Sequence, residues 1–364
     1  MDENTDPILD ATTALIPPLL SGIEVLTHAG RHMHPPNLPG LVQQIEPYRQ
    51  PLKDGLAAFD AVDWPEHLQD FVECSIRSAN LAMQSFNEFL SAQNQSNPAM
   101  AAYRAMSYNT KATEAIYPVA QMLPPVSRFF LNPAQRDDEA LLARLAGADA
   151  GRDKVGVMHA ANASDERGGF SIYVPEYYNG EKVPLILALH GGSGHGRSFL
   201  WTWLRTARSR NVIVISPTSV EGTWSLMGPD VDSQNLAAMV AYAQEHWSID
   251  ENRILLTGMS DGGTFSYVAG LQEGVPYTHL GPSSASFHPM LVEVASAERI
   301  RNLPLYLMHG ALDWMFPVDV ARTARDAFTA AGARVEYREI ADLSHTYPIE
   351  ENPRIVDWLD GALE

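Results

Sequence analysis

The run Leu185-Ile186-Leu187-Ala188-Leu189 is unbroken apolar chain, and it limits the folds open to this sequence more than any other stretch. A strand with one wet face alternates apolar and polar residues. Five apolar residues in a row therefore require a strand covered on both sides, as in parallel sheets enclosed by helices. The same grammar recurs through residues 151–364. Aliphatic or β-branched runs stand at Lys154–His159, Phe170–Val174, Leu185–Leu189, Val212–Ile215, Ile254–Thr257, Leu305–Met308 and Val335–Ile340, with a weaker one at Tyr277–Leu280. Helical segments fit between several of them, at Ser198–Arg208, Ser233–His246 and Val318–Ala331. Strands alternating with helices predict an α/β fold with a mostly parallel, doubly wound sheet. The crevice of such a sheet opens at the carboxyl ends of its strands.

Residues 1–150 read differently. No convincing strand precedes residue 150, so we expect a helical amino-terminal region (1–150) followed by an α/β domain (151–364). Residues 66–95 carry apolar positions at helical spacing (Leu68, Phe71, Val72, Ile76, Leu81, Met83, Phe86, Leu90), and residues 98–122 form a second helical stretch beyond Asn97-Pro98. A short helix fits Asp137–Leu145. The Pro- and Gly-rich residues 1–60 predict short helices mixed with extended chain.

Composition narrows the partners. The 364 residues are 45% hydrophobic and 19% charged, which suits a globular chain and not a disordered one. A net charge of −19, spread along the sequence, argues against nucleic acid and against an anionic membrane surface, because like charges repel. A single cysteine, Cys74, allows no intrachain disulfide. The start Met1-Asp2-Glu3-Asn4-Thr5-Asp6 is acidic where a secretory signal is basic, and Pro17-Pro18 interrupts the apolar stretch behind it. No run approaches the roughly 18 apolar residues of a spanning helix, so a cytoplasmic location and no membrane contact are expected.

The chemistry is carried by Ile254-Leu255-Leu256-Thr257-Gly258-Met259-Ser260-Asp261-Gly262-Gly263, which reads as strand, Gly-x-Ser-x-Gly, helix. A turn this sharp holds one side chain clear of the sheet edge, and side chains at 258 and 262 would clash with the neighbouring strand and helix. Ser260 then stands in a strained position at a helix amino terminus, where the helix dipole favours a developing oxyanion. The pentapeptide alone is a weak signal. Its placement between an apolar run and a helix makes Ser260 the candidate nucleophile.

At these residues the chain resembles the α/β-hydrolase superfamily. Within it, the chain is similar to the esterase branch that holds polyhydroxybutyrate depolymerase-like, feruloyl esterase-like and phospholipase/carboxylesterase-like proteins. The resemblance rests on Leu189-His190-Gly191-Gly192-Ser193-Gly194, Gly258-Met259-Ser260-Asp261-Gly262-Gly263, His309-Gly310-Ala311-Leu312-Asp313 and Ser344-His345, all after residue 150. It implies the α/β-hydrolase fold and a serine carboxylic ester hydrolase that needs no cofactor and no metal.

Glycines after the strand at 185–189 leave backbone N–H groups uncovered. Gly191 and Gly192, with the amide of Asp261, are the candidate oxyanion donors, each typically worth about 10²–10³ in rate. His190 reads as loop support. Asp313, past the strand Leu305–Met308, is the candidate acid. Its rivals are Asp319, which reads better as a helix-start residue, and Asp342, which reads as a turn residue. His345, the one histidine after the last strand, is the candidate base. The order Ser260, Asp313, His345 is the one α/β-hydrolases use.

Trp201, Trp203, Trp224, Phe287 and Trp314 follow strand ends, where acyl or alcohol pockets form, although core packing suits each equally. Trp224, Phe287 and Trp314 are taken as the pocket candidates, with Trp314 best placed beside Asp313. His28, His32 and His34 read as lying in a Pro/Gly-rich loop with no acidic or cysteine ligand in a fixed pattern, so no metal site is expected. The connection 286–302 is too short for a helical lid, which leaves residues 1–150 to cover the site or to form a homo-oligomer contact. The rival functions are a peptidase or amidase with the same triad and a non-catalytic binding protein that keeps the fold.

Overall fold

A computed structural model describes residues 6–149 and 151–362. The acidic start at 1–5 and the expected domain boundary at Ala150 lie outside the described residues. The chain divides into two compact units, Met1–Asp137 and Asp138–Glu364.

The first unit holds helices α1 (Pro7–Arg31), α2 (Leu38–Asp60), α3 (Gln69–Ser91), α4 (Pro98–Ile116) and α5 (Pro124–Phe129). The expectation of short helices and extended chain over residues 1–60 is overturned, because Pro17 and Pro18 sit inside α1 and Pro47 and Pro51 inside α2. An interior proline costs roughly 3 kcal/mol. Helix α1 buries Leu15, Ile16, Leu19, Ile23 and Leu26, and each such side chain contributes about 1.5–3 kcal/mol, enough to outweigh two prolines. The helices also make use of the break. Pro18 has no N–H for the Ala14 carbonyl, and α2 approaches there so closely that a Cβ on Gly55 would lie 2.3 Å from Ala14 O.

Helices α3 and α4 meet through small residues: Ser75, Ser78, Ala79, Ala82 and Ser85 face Ala101, Ala102, Ala105 and Ala112. Ser78 Oγ donates to Ala112 O at 2.8 Å and Ser85 Oγ to Ala105 O at 2.9 Å, so these two buried hydroxyls are satisfied across the interface, whereas the Ser75 hydroxyl is buried without a hydrogen bond. Ile76, Leu81, Met83 and Leu90, counted as core from spacing, are only half-buried. A correction also applies to α1. By length and composition it is apolar enough to cross a membrane, which a search for unbroken apolar runs does not detect. His28 lies in this helix and not in a loop.

The second unit begins with α6 (Glu139–Ala146), so the division falls before residue 150. Arg144 of that helix stacks 4.2 Å over the Tyr177 ring and pairs with Glu181 at 3.7 Å, which binds α6 to this unit. Strands β1 (Gly156–Ala160), β2 (Phe170–Val174) and β3 (Val183–Leu189) follow. Next come α7 (Gly196–Phe199), α8 (Trp201–Arg210), β4 (Ile213–Pro217), α9 (Ser233–His246), β5 (Ile249–Met259), α10 (Asp261–Gly270) and β6 (His279–Ser283). The chain ends with α11 (Met290–Val294), α12 (Ala297–Ile300), β7 (Pro304–Gly310), α13 (Val318–Ala330), β8 (Arg334–Ile340) and α14 (Asn352–Leu359). The eight strands form one sheet in the order β1-β2-β4-β3-β5-β6-β7-β8. Pairings within β3–β8 are parallel, whereas β1 and β2 add antiparallel strands at one edge. All seven residues of β3 are buried, as a strand covered on both faces requires.

After β3 the chain crosses outward to β4 and then returns past β3 to β5. The connections leaving β3 and β5 therefore run to opposite sides, and a crevice opens between these two strands at their carboxyl ends.

Candidate active site

Sheet register brings the first two elements of the site together. Leu189 of β3 pairs with Gly258 of β5, so two residues further along each chain Gly191 stands beside Ser260. A Cβ added to Gly191 would lie 3.5 Å from Ser260 Cβ. Ser260 has φ +56° and ψ −119°, a conformation that costs a non-glycine residue on the order of 1–3 kcal/mol. The turn is held by Ser260 N–H donating to Ser283 O at 2.9 Å and by Thr264 N–H donating to Ser260 O at 2.8 Å. The glycines are required by close approach. A Cβ on Gly258 would lie 2.6 Å from Gly262 backbone, and one on Gly262 would lie 2.4 Å from His190 O.

Asp313 and His345 reach this point from the loops after β7 and β8. His345 Nε2 is 3.1 Å from Ser260 Oγ, and its Nδ1 is 2.8 Å from Asp313 Oδ2. All three side chains are buried, at 8% exposure or less. The other carboxylate oxygen of Asp313 accepts the Met315 and Phe316 amides at 2.9 Å each. Burial alone pushes the Asp313 carboxyl up, but the hydrogen bonds from His345 and Phe316 and the nearby imidazoles outweigh it and hold the group below its usual value. Asp319 instead pairs with Arg322 in the first turn of α13, and Asp342 is exposed.

The glycine loop after β3 is pinned from several sides. His190 is buried, and burial takes its imidazole down to about 4 against the opposing hydrogen bond to Gly191, so the ring is neutral at pH 7. Its Nε2 accepts Ser219 N–H at 3.1 Å, so Nδ1 carries the proton and donates to Gly191 O at 2.6 Å. Gly194 N–H also donates to Gly191 O, at 3.0 Å. Because the C=O and the following N–H of a trans peptide point opposite ways, this anchoring turns the Gly192 N–H away from His190. Among the described residues, the amides of Gly191, Gly192 and Asp261 donate to no backbone or side-chain acceptor. Asp261 Oδ2 accepts the Thr223 hydroxyl at 2.6 Å.

The aromatic pocket candidates separate. Trp224 is not a pocket wall: it is 2% exposed, stacks on Phe265 at 5.5 Å and donates its indole N–H to His190 O at 2.8 Å. A ring that must bury its body and satisfy one N–H has found both beneath the glycine loop. Trp203 is likewise wholly buried. Phe287 is half-buried and packs on Tyr267 and Phe328, so it belongs more to the core than to an opening. Trp314 is 42% exposed beside Asp313, with Leu312 and Met315 exposed next to it. A cavity of about 600 Å³ lined by Glu273, Tyr277, Arg299 and Asn302 opens at the starts of β6 and β7, the opposite end of the sheet, and shares no residue with the Ser260 site. Among the described residues no cluster of three His, Cys, Asp or Glu side chains is placed to hold a metal ion.

Several supporting residues carried no readable signal in the sequence. The Arg167 guanidinium, from the β1–β2 connection, donates to Gly194 O, Ser219 O, Ser219 Oγ and Glu221 O, tying the loops after β3 and β4 together. Buried Asp232 accepts Val220 N–H, Ser225 N–H and the Ser225 hydroxyl, closing the 218–232 loop on itself.

The sheet order and the crevice between β3 and β5, with Ser260, His345 and Asp313 gathered at its edge, give this unit the α/β-hydrolase fold. Residues 230–361 match the family described as Phospholipase/Carboxylesterase, a stretch that includes Ser260, Asp313 and His345. A bifunctional acetylxylan esterase/xylanase from Neocallimastix patriciarum is 27% identical over 189 residues, covering 50% of this chain and 26% of that protein. The chain thus spans about a quarter of the length of that relative. Among solved structures, a thermostable esterase is similar at 21% identity and a TM-score of 0.46, over 57% of this chain and 63% of the other. An acylaminoacyl peptidase from Pyrococcus horikoshii is similar at 17% identity and a TM-score of 0.42, over 54% of this chain and 39% of the other.

Proposed function

We propose that this chain hydrolyses carboxylic esters through an acyl-enzyme on Ser260. The observation that supports this reading is the continuous hydrogen-bond chain from Ser260 Oγ through His345 to Asp313, set beside uncommitted amides. His345 Nε2 takes the Ser260 proton as Oγ attacks the ester carbonyl. Asp313 holds the imidazole in the Nδ1–H tautomer and stabilises the imidazolium. The amides of Gly192 and Asp261, backed by Gly191, take the charge that develops on the carbonyl oxygen. His345 then returns its proton to the departing alcohol. Water, deprotonated by the same imidazole, cleaves the acyl-enzyme to release the acid and restore Ser260. No step calls on a metal or an organic cofactor.

A fluorophosphonate probe should label the wild type at Ser260 and leave Ser260→Ala unlabelled. Persistent labelling of the variant would place the nucleophile elsewhere. Substrate class is then read from an ester panel of varied acyl length that includes p-nitrophenyl acetate, a feruloyl ester, a polyhydroxybutyrate oligomer and, because of the name its relative carries, an acetylated xylan. Cleavage of aminoacyl anilides with no cleavage of esters would replace the esterase with a peptidase.

A further inference from the structure

Two histidines converge on the Asp313 carboxylate, and the proposed mechanism uses only one. His345 Nδ1 lies 2.8 Å from Oδ2, and His309 Nε2 lies 3.4 Å from the same oxygen. His309 is the next-to-last residue of β7 and is 1% exposed. Its Nε2 is also 2.8 Å from the Phe316 carbonyl. Burial pushes this imidazole below the usual histidine range, against the opposing pull of the Phe316 hydrogen bond and the Asp313 charge, which favours the neutral ring with one N–H. Both neighbours of Nε2 are acceptors, a carbonyl and a carboxylate, so that N–H sits on Nε2. It donates to Phe316 O, while Asp313 Oδ2 lies 3.4 Å away as a neighbouring charge and not as its hydrogen-bond acceptor.

The turn 313–316 is therefore closed at both ends. Asp313 Oδ1 accepts the amides of Met315 and Phe316, and His309 holds the Phe316 carbonyl. The ring of Phe316 meets the His345 imidazole edge to face, with centroids 5.5 Å apart at 74°. His345 is thus gripped by Asp313 Oδ2 at Nδ1 and by the Phe316 ring on its flank, and both grips belong to the turn that His309 closes.

We propose that His309 is a positioning residue for the acid–base pair: its Nε2–H fixes the Asp313–Phe316 turn, which aims the His345 imidazole at Ser260. This rests on the reading of Ser260, His345 and Asp313 as the catalytic array. His309 itself touches neither substrate nor reacting atom. The alternative is a histidine that only fills space at the end of β7.

The two roles separate with two amides of similar polarity. Glutamine places an N–H near the Nε2 position and reaches Phe316 O, whereas the shorter asparagine does not. The rate of covalent labelling of Ser260 by a fluorophosphonate reports serine reactivity without knowledge of the natural ester. His309→Asn should slow labelling and kcat about 10–100-fold with KM within about twofold, and His309→Gln should recover to within about threefold of wild type. Phe316→Ala, which keeps the carbonyl but removes the ring, should also slow labelling. Equal rates for Asn and Gln at matched unfolding midpoints would overturn the proposal, as would wild-type rates in all three variants. Labelling that survives Ser260→Ala would instead sink the catalytic array on which it rests.

Discussion

Gly262→Ala tests whether the elbow and the glycine loop act as one rigid assembly. A Cβ at this position would lie 2.4 Å from His190 O and 2.6 Å from Leu189 O. Neither atom is the tip of a side chain that can swing away, since both belong to the backbone where β3 leaves the sheet. Contacts below 3.0 Å do not persist, so α10 and the end of β3 must separate by at least about 0.6 Å. Overpacking of this sort costs about 1–3 kcal/mol, and backbone on both sides puts this case at the upper end, about 3 kcal/mol. The groups driven apart are those that carry the Asp261 amide and the Gly191–Gly192 amides. Loss of one such donor is worth about 10²–10³ in rate. We therefore expect a lower urea midpoint at unchanged m-value and a kcat for p-nitrophenyl acetate reduced about 100-fold or more, with KM little altered. Gly222→Ala is the control, because its Cβ would meet nothing within 4 Å, and it should stay within about 0.5 kcal/mol of wild type. If Gly262→Ala unfolded and turned over like Gly222→Ala, the close-packed elbow would not be what holds the site.

Trp224→Phe keeps the stack on Phe265 but removes the donor to His190 O; the buried carbonyl left behind should cost about 1–3 kcal/mol in urea unfolding, and an unchanged midpoint would reject the anchoring role. His279, pushed down to about 4 by burial and by the Arg334 charge, takes up its proton near 6.5 in the unfolded chain, so this contribution is complete above about pH 6.5 and is lost as pH falls toward 4. The loss is about 3 kcal/mol, and His279→Asn should show a correspondingly shallower fall in urea midpoint between those pH values. In the amino-terminal unit, Gly55→Ala should destabilise strongly because its Cβ meets Ala14 O, while Gly40→Ala, exposed in α2 with nothing within 4 Å, should raise the midpoint by about 0.5–1 kcal/mol; denaturation of the two variants side by side checks both.

Local pattern was enough for what local forces decide. The apolar runs foretold the strands of the second unit, because a strand buried on both faces admits few polar residues, and the two serines held in β2 and β4, Ser171 and Ser216, are both hydrogen-bonded. Helix α9 follows the expected span, Ser233–His246, and the glycines at 258 and 262 marked a turn that only residues without a Cβ can make. The chain order of Ser260, Asp313 and His345 was legible because each follows a strand of one parallel sheet, and such strands deliver their loops to one edge.

Other features depended on pairings between distant segments. The weakest strand candidate proved to be β6, an interior strand, since its place is set by neighbours on both sides and not by its own composition. The prolines at 17, 18, 47 and 51 read as breaks but lie within helices whose buried faces supply more than a proline removes. Trp224 read as a pocket wall, yet one hydrogen bond to His190 O, made across 34 residues of chain, turned it inward. His309 was visible as part of a motif, but its place on Asp313 appeared only once the 313–316 turn had closed over it. The sequence alone therefore determined which segments become strands and which residues can carry the chemistry, because those are questions of side-chain size, polarity and backbone freedom within a few residues. Only the tertiary structure decided which aromatic faces solvent and which histidine braces the acid, because register between β3 and β5 and the closing of loops join residues that the chain itself holds far apart.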